Sequence, residues 1–473
     1  MRSVRVAHRA GWIAGLLLWA GAALAQTPPA QTPPAGQGAA PAAQANPTPG
    51  ATSAQPTPAP TGLWERSNLF GDLGGLRSLL DAHGIEFGLT DTDEVLGNPT
   101  GGTNQGAIYE GALEMSLGVD LGKAIGLQGG IFNVSAWQIR GHGLSLNNVD
   151  NLQTISSIEA LPSTRLFELW YQQAFFNGKF DIRVGELAAD QEFMISTYGT
   201  LFVNSGFGFP TLPAVVLPAG GPAYPLATPG VRFRLVPTPT TTALLGVFNG
   251  NPAPGIGNPQ IINSSGINFP LNGGLFVIGE VQHSINQGDN AKGLPGTYKL
   301  GAWYNSNAFA NQALPASTTP GVVPPGAFRG DWSVYAVADQ LVFRPAGATD
   351  GGLGVFARAM GAPGDRSEVE VFVDGGLSYK GLFGRASDTA GIGFGWAKIS
   401  GTLSAADKAA GLPPQTAETV IELTYQVQVA PWWVVQPDFQ YVFNPSGGIL
   451  NPNGSGQKVG SAAILGLRTT VTF

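Results

Sequence analysis

The amino-acid sequence predicts an all-β fold: a closed antiparallel transmembrane β-barrel of about sixteen strands, preceded by a short N-terminal periplasmic helix. Three observations lead there. Run after run of ten or so residues alternates apolar and polar side chains, the period of a strand with one oily and one wet face. After residue 25 there is no apolar stretch long enough for a spanning helix. Charged residues make up only 12% of the 473 positions, about half the share usual in soluble domains. Strands that face hydrocarbon cannot end in an open edge, because each unpaired amide there costs several kcal/mol; they must close into a barrel.

The chain begins with the pattern of an export signal over residues 1–25. Arg2, Arg5 and Arg9 precede an apolar core from Trp12 to Leu24, and Ala23-Leu24-Ala25 is a small-residue cleavage site. Residues 26–62 form a Pro/Ala/Gln/Thr tract that cannot bury a core and reads as a disordered linker. Residues 63–84 change character. Leu69, Phe70, Leu73, Leu76, Leu79 and Leu80 recur at helical spacing, with Asp72 as N-cap and Gly84 closing the C-terminus. The spacing predicts a short amphipathic helix from Asp72 to Ala82, packed against the periplasmic end of the barrel.

The barrel domain spans 85–473. Its clearest hairpin is RLFELWYQQAFFNGKFDIRVGELAADQEF at 165–193. Asn177-Gly178 is a strong turn signal, because both residues tolerate positive φ. Phe167, Leu169, Tyr171 and Phe175 fall on one face, opposite Glu168, Trp170 and Gln172; Phe180, Ile182 and Val184 oppose Asp181 and Arg183. Sixteen segments read as strands: 85–96, 107–121, 127–140, 165–176, 179–189, 229–236, 240–249, 273–284, 296–306, 331–344, 352–362, 367–380, 388–399, 416–429, 432–443 and 460–473. Of these, 352–362 and 388–399 are Gly-rich and alternate least cleanly. Tight turns at Asn177-Gly178, Pro237-Thr238 and Ala430-Pro431 contrast with long segments at 141–164, 190–228, 250–272, 307–330 and 444–459. Long and short connections therefore segregate to opposite ends of the barrel. The apolar, Pro-rich 190–228 segment is a candidate for folding into the pore. Phe175, Trp432, Trp433, Tyr441, Phe443 and Phe473 mark strand ends, as interfacial girdles do.

Composition excludes several functions. With no Cys, the chain has no disulfide, thiol nucleophile or thiolate metal site. A net charge of −7 without a basic block argues against nucleic acid as a partner. Outside the export signal the histidines are His83, His142 and His283, in no metal-binding or triad spacing. No cofactor, metal or catalytic residue is expected. A barrel hydrolase or an exported soluble lectin remain the readings from other functional classes.

Five segments carry a resemblance: LFGDLGGLRSLLDAHGIEFGL at 69–89, the hairpin at 165–193, GTYKLGAWYNS at 296–306, GLSYKGLFGRASDTAGIGF at 376–394 and PWWVVQPDFQYVFNPSG at 431–447. With these the chain resembles the OprB-like carbohydrate-selective porins of Gram-negative outer membranes, over about 63–473. The resemblance implies a sixteen-stranded outer-membrane channel that passes glucose and related sugars by diffusion. Phe473, with Val471 and Leu467 at alternate positions, looks like the terminal signal read by the barrel assembly machinery. Small sugars and outer-membrane lipid are the implied partners, for a monomer or a homotrimer. The Pro-rich linker is a departure from the family pattern.

A sugar offers apolar C–H faces and a ring of hydroxyls, so its site needs an aromatic plate and paired hydrogen-bonding groups. Parity places Glu168, Trp170, Gln172 and Arg183 of the hairpin toward the lumen. Trp137 joins them beside Asn133 and Ser135. Arg232 and Arg234, alternating with Val231, Phe233 and Leu235, point the same way. These seven residues, Trp137, Glu168, Trp170, Gln172, Arg183, Arg232 and Arg234, are the expected pore lining. Asp190, Gln191 and Glu192, at the loop end of the strand, either line the mouth or are simply solvated. A salt-bridged structural network is the plainer role for the charged members, and packing under an inserted loop is the plainer role for Trp170. Three inward arginines also fit an anion- or organic-acid-preferring porin.

Overall fold

A computed structural model describes residues 62–473, except 289, 290, 316–318, 320, 347, 349 and 455. The expected export signal and, but for Gly62, the linker lie outside the described residues. The strands are β1 (Ile85–Gly102), β2 (Gly106–Asp120), β3 (Gly130–Gly141), β4 (Ser163–Phe175), β5 (Phe180–Leu187), β6 (Thr228–Thr238), β7 (Thr241–Asn249) and β8 (Leu275–Ile285). They continue as β9 (Gly296–Phe309), β10 (Phe328–Phe343), β11 (Gly352–Gly361), β12 (Val369–Lys380), β13 (Thr389–Ile399), β14 (Ala417–Ala430), β15 (Trp433–Phe443) and β16 (Gly460–Thr472). Each pairs antiparallel with its sequence neighbours, and β16 closes on β1 through registers such as Glu94 opposite Arg468.

Burial settles which face is which. On β14, Leu423 is 46% exposed on the outside while Glu422 is fully buried inside. Leu300 and Leu465 are likewise exposed, and Glu94, Asp181, Glu280 and Asp438 are buried. An oily exterior and a polar interior are what a bilayer demands of a barrel. His283 stands on the exposed face of β8, near Thr241.

Several local expectations shift. The turn between β4 and β5 is centred one residue early. Phe176 and Asn177 both have positive φ, and the Gly178 N–H donates to the Phe175 carbonyl at 3.0 Å. The turn after β6 falls at Pro239-Thr240 rather than Pro237-Thr238, because β6 runs on to Thr238. Before β1 the helix proper is Leu76–Ala82, after a 3-10 turn at Leu73–Gly75. Asp72 is not its N-cap residue; its carboxylate instead accepts from the Ser78 N–H (2.8 Å) and hydroxyl (2.9 Å), three residues inside the helix. Gly84 closes the C-terminus at φ 77°. Phe167 does not face lipid. The β3–β4 register shifts between Val134 and Ala136, a β-bulge that leaves both Phe167 and Glu168 buried inside.

The long connections do not all stay outside. Segment 188–227, between β5 and β6, folds into the lumen as the sequence suggested. Segment 142–162, between β3 and β4, does so too, which strand periodicity gave no reason to expect. Their backbone groups are met by wall side chains. Glu280 accepts from Met194 N at 2.8 Å, and Glu422 from Val203 N at 2.6 Å and Asn204 N at 3.0 Å. Asp339 accepts from the Ser196 hydroxyl (2.6 Å) and the Thr197 and Tyr198 amides. Glu418 accepts from Leu152 N (2.8 Å) and Gln153 N (2.7 Å) of the other loop. The loops also bond each other, through Ser157 N to Val203 O and Ser205 N to Thr154 O.

The glycines of the weakly alternating strands now have a reason. A Cβ at Gly393 of β13 would lie 2.7 Å from Phe207, and one at Gly354 of β11 would collide with the Tyr198 ring. Side chains are missing there because the inserted loop's aromatics occupy the space.

Arg358 is the central fastener. It is paired with Asp374, both fully buried, and donates to the loop carbonyls of Met194 (3.0 Å), Gly206 (2.7 Å) and Gly208 (2.7 Å). Arg358→Ala removes one partner of a buried pair, a change that costs about 3–5 kcal/mol. The barrel is expected to insert still, but with a lower thermal transition and with segment 188–227 newly open to protease. Unaltered protease resistance would refute the fastening role.

Candidate functional site

The inward faces of β4, β5 and β6 meet the start of the inserted loop in one network. β5 pairs with β6 so that Arg183 lies opposite Arg232 and Asp181 opposite Arg234. Two like charges side by side need counter-charges. Glu192, from the loop, approaches both Arg183 Nη1 (2.5 Å) and Arg232 Nε (2.6 Å). Asp181 pairs with Arg232 and, at 2.5 Å, with Arg234. Gln172 Oε1 accepts from Arg183 (3.0 and 3.1 Å) and from Arg232 (2.9 Å). The Arg183 guanidinium lies 3.8 Å from the centroid of the Trp170 ring. Trp170 Nε1 donates to Glu168 at 3.2 Å, and Glu168 accepts the loop amide of Ala188 at 3.1 Å. A small crevice, no roomier than about one water molecule, opens here, lined by Glu168, Arg183, Leu187, Ala188, Glu192, Phe193, Arg232 and Phe248.

Six of the seven expected lining residues are thus in one place: Glu168, Trp170, Gln172, Arg183, Arg232 and Arg234. Trp137 is not with them. It is 4% exposed, packed edge-on against Tyr224 (5.4 Å) and Phe167 (6.5 Å) under the inserted loop, so its ring meets side chains rather than open lumen. Two members were not expected as partners. Asp181 had the right parity and was legible. Glu192 reaches the arginines only because segment 188–227 turns inward, a path strand periodicity does not encode. Asp190 is also drawn inside, where it accepts the Tyr224 amide at 2.9 Å.

The arrangement presents an indole, three guanidinium groups, a carboxamide and three carboxylates. One face of the Trp170 indole is taken by Arg183. The charges cancel locally: Arg183, Arg232 and Arg234 against Glu168, Asp181 and Glu192. Such a surface offers many donors and acceptors with little net field.

The family model of the carbohydrate-selective porins, OprB family, matches residues 104–473. The chain belongs to the OprB family of carbohydrate-selective porins. It is 24% identical to porin B of Pseudomonas aeruginosa, over 86% of this chain and 91% of that protein. It is also 24% identical to the putative porin QuiX of Acinetobacter baylyi, over 81% and 90%. A structure of OprB from Pseudomonas putida at high pH superposes with a TM-score of 0.74, covering 86% of this chain and 99% of that one at 24% identity. Membership makes the barrel an outer-membrane channel of the carbohydrate-porin type.

The inserted loops of this OprB-family porin carry titratable groups of their own. Burial pushes the Asp190 carboxyl up to about 7, outweighing the amide it accepts, and does the same to Glu159, also to about 7. A carboxyl free in solution titrates near about 4. The docked loops therefore hold stability that is complete below about pH 4 and is lost as pH rises through about 7. Hydrogen exchange of segment 188–227, corrected for intrinsic rate, should quicken from pH 5 to pH 8 by roughly tenfold or more. Asp190→Asn should shrink that difference; a pH-independent exchange pattern would contradict the assignment.

Proposed function

We propose that the chain lets glucose and related sugars diffuse across the outer membrane into the periplasm. In this reading Glu168, Trp170, Gln172, Arg183, Arg232 and Arg234, completed by Glu192, make the sugar-contacting wall. The long loops face outward and the N-terminal segment lies on the periplasmic side, as is usual for such barrels. Phe473 is the end presented to the assembly machinery.

The observation that carries this reading is the charge balance of the network. An anion-selecting pore needs cations whose charge is not cancelled. Here every arginine has a carboxylate at ion-pair distance. A neutral polyol gains from paired donors and acceptors without needing a field. Binding in such a pore must stay weak enough for release, and diffusion needs no catalytic residue.

Single-channel recording in planar bilayers tests it. Glucose is expected to reduce the open-channel current reversibly, with a reversal potential near zero in a salt gradient. A strongly anion-selective current indifferent to glucose would transfer the chain to the organic-acid reading. Trp170→Ala removes the aromatic plate and frees Arg183. It should weaken glucose block by roughly tenfold, the effect of about 1.4 kcal/mol, with folding retained. Glu192→Gln leaves two arginines under-compensated, so its reversal potential should move toward that of the anion.

A further inference from the structure

Residues 63–82 do not plug the end of the barrel; they run along its outer edge. The Leu69 N–H donates to the Thr472 carbonyl at 2.8 Å, and Trp432 Nε1 donates to the Leu63 carbonyl at 2.8 Å. Arg77 Nη1 donates to the Phe87 carbonyl at 3.1 Å, and its guanidinium lies 4.2 Å from the Phe87 ring centroid. Phe87 shares the outward parity of Leu89 and Val95 on β1, so the segment reaches around onto the lipid-facing side of the wall.

The aromatics of the segment extend those of the rim. Trp64 stacks on Trp432 (6.2 Å), which stacks on Trp433 (5.9 Å), and Phe70 packs on Phe473 (5.4 Å). Yet Trp64 is 60% exposed, and Phe70, Leu73, Leu76 and Leu79 are exposed too. At 3.6 residues per turn, Leu76, Leu79 and Leu80 share one side of the helix. Arg77, which holds the barrel, and Asp81, which pairs with Lys123 at 3.7 Å, lie on another. The apolar stripe therefore points sideways, away from both the barrel and the lumen.

We propose that residues 63–82 form a collar lying in the interfacial layer of the bilayer, with Trp64, Phe70, Leu73, Leu76 and Leu79 sunk into phospholipid. The occupant is lipid rather than protein because the stripe is continuous with the aromatic girdle, which already marks where the wall enters the membrane. A helix with an apolar side and a charged side lies flat at that boundary, buried roughly 5–10 Å into it. The collar fixes the point where the Pro-rich tract leaves the barrel, at the membrane surface rather than over the pore.

The protein has no Cys, so one introduced thiol gives a unique label. The full mature chain, reconstituted in phosphatidylcholine vesicles, carries a nitroxide at Leu79→Cys or, as the control on the polar side, at Ser78→Cys. Power saturation with oxygen and with a water-soluble nickel chelate reads depth. The label at 79 is expected at roughly 5–10 Å below the phosphates, with the label at 78 in water. Equal nickel access at both sites overturns the proposal. So does dipolar broadening at 79 that disappears on dilution with unlabelled protein, since a second copy would then cover the stripe. A label at 79 protected from both reagents also overturns it, in favour of cover by residues 26–61.

Discussion

A polypeptide crossing the inside of a barrel must find partners for its backbone groups, and that requirement shapes this molecule. The strands satisfy each other around the ring, β16 with β1 included. Segments 142–162 and 188–227 have no such ladder. Their amides are met in consecutive pairs by carboxylates on the wall: Leu152 and Gln153 by Glu418, Thr197 and Tyr198 by Asp339, Val203 and Asn204 by Glu422. A carboxylate has two oxygens and about four lone-pair sites, so it suits two adjacent N–H groups. Arg358 answers the opposite need, donating to three loop carbonyls. Inward charges in the strands are therefore in large part fasteners for loops.

The network on β4, β5 and β6 follows from the same docking. Glu192 enters the lumen with the first residues of segment 188–227 and supplies the counter-charge that Arg183 and Arg232 share. Without the loop, two arginines in register across β5 and β6 would face each other with Asp181 and Gln172 alone. Loop docking and charge balance are thus one event. Glu168 ties them further, accepting the indole of Trp170 on one side and the loop amide of Ala188 on the other.

The strand period made the barrel legible in the sequence. Its two residues per repeat separated lumen from lipid face on the hairpin of β4 and β5 and on β6, where Arg232 and Arg234 turn inward. Where the period breaks, the reading failed. The bulge beside Ser135 turns Phe167 inward without any change in composition, since a bulge is a property of the pair of strands and not of one. Trp137 had the correct parity, and still does not line open lumen, because Tyr224 from a distant loop lies against it. The Gly-rich β11 and β13 read poorly for the same cause: their inner faces are completed by Tyr198 and Phe207, residues far away in the chain. Parity reports which side of a wall a residue occupies; it does not report what fills the space there.

The outer face handles its few charges by a different logic. Asp91 and Asp93 on β1 and Arg140 on β3 share the parity of Val95 and Val134, so they stand on the lipid side. Arg140 Nη2 lies 2.6 Å from Asp91 and 2.8 Å from Asp93, and Tyr109 donates to Asp93 at 2.6 Å. An arginine facing lipid costs about 2–4 kcal/mol at the midplane and about 0–1 near the interfaces. Arg140 is the penultimate residue of β3, toward the long-loop end. The guanidinium bridging both carboxylates leaves the group one charge short of neutral. Inside, a carboxylate works by taking up amides that nothing else can reach. Outside, with no loop to hold, these charges are closed upon their own partners.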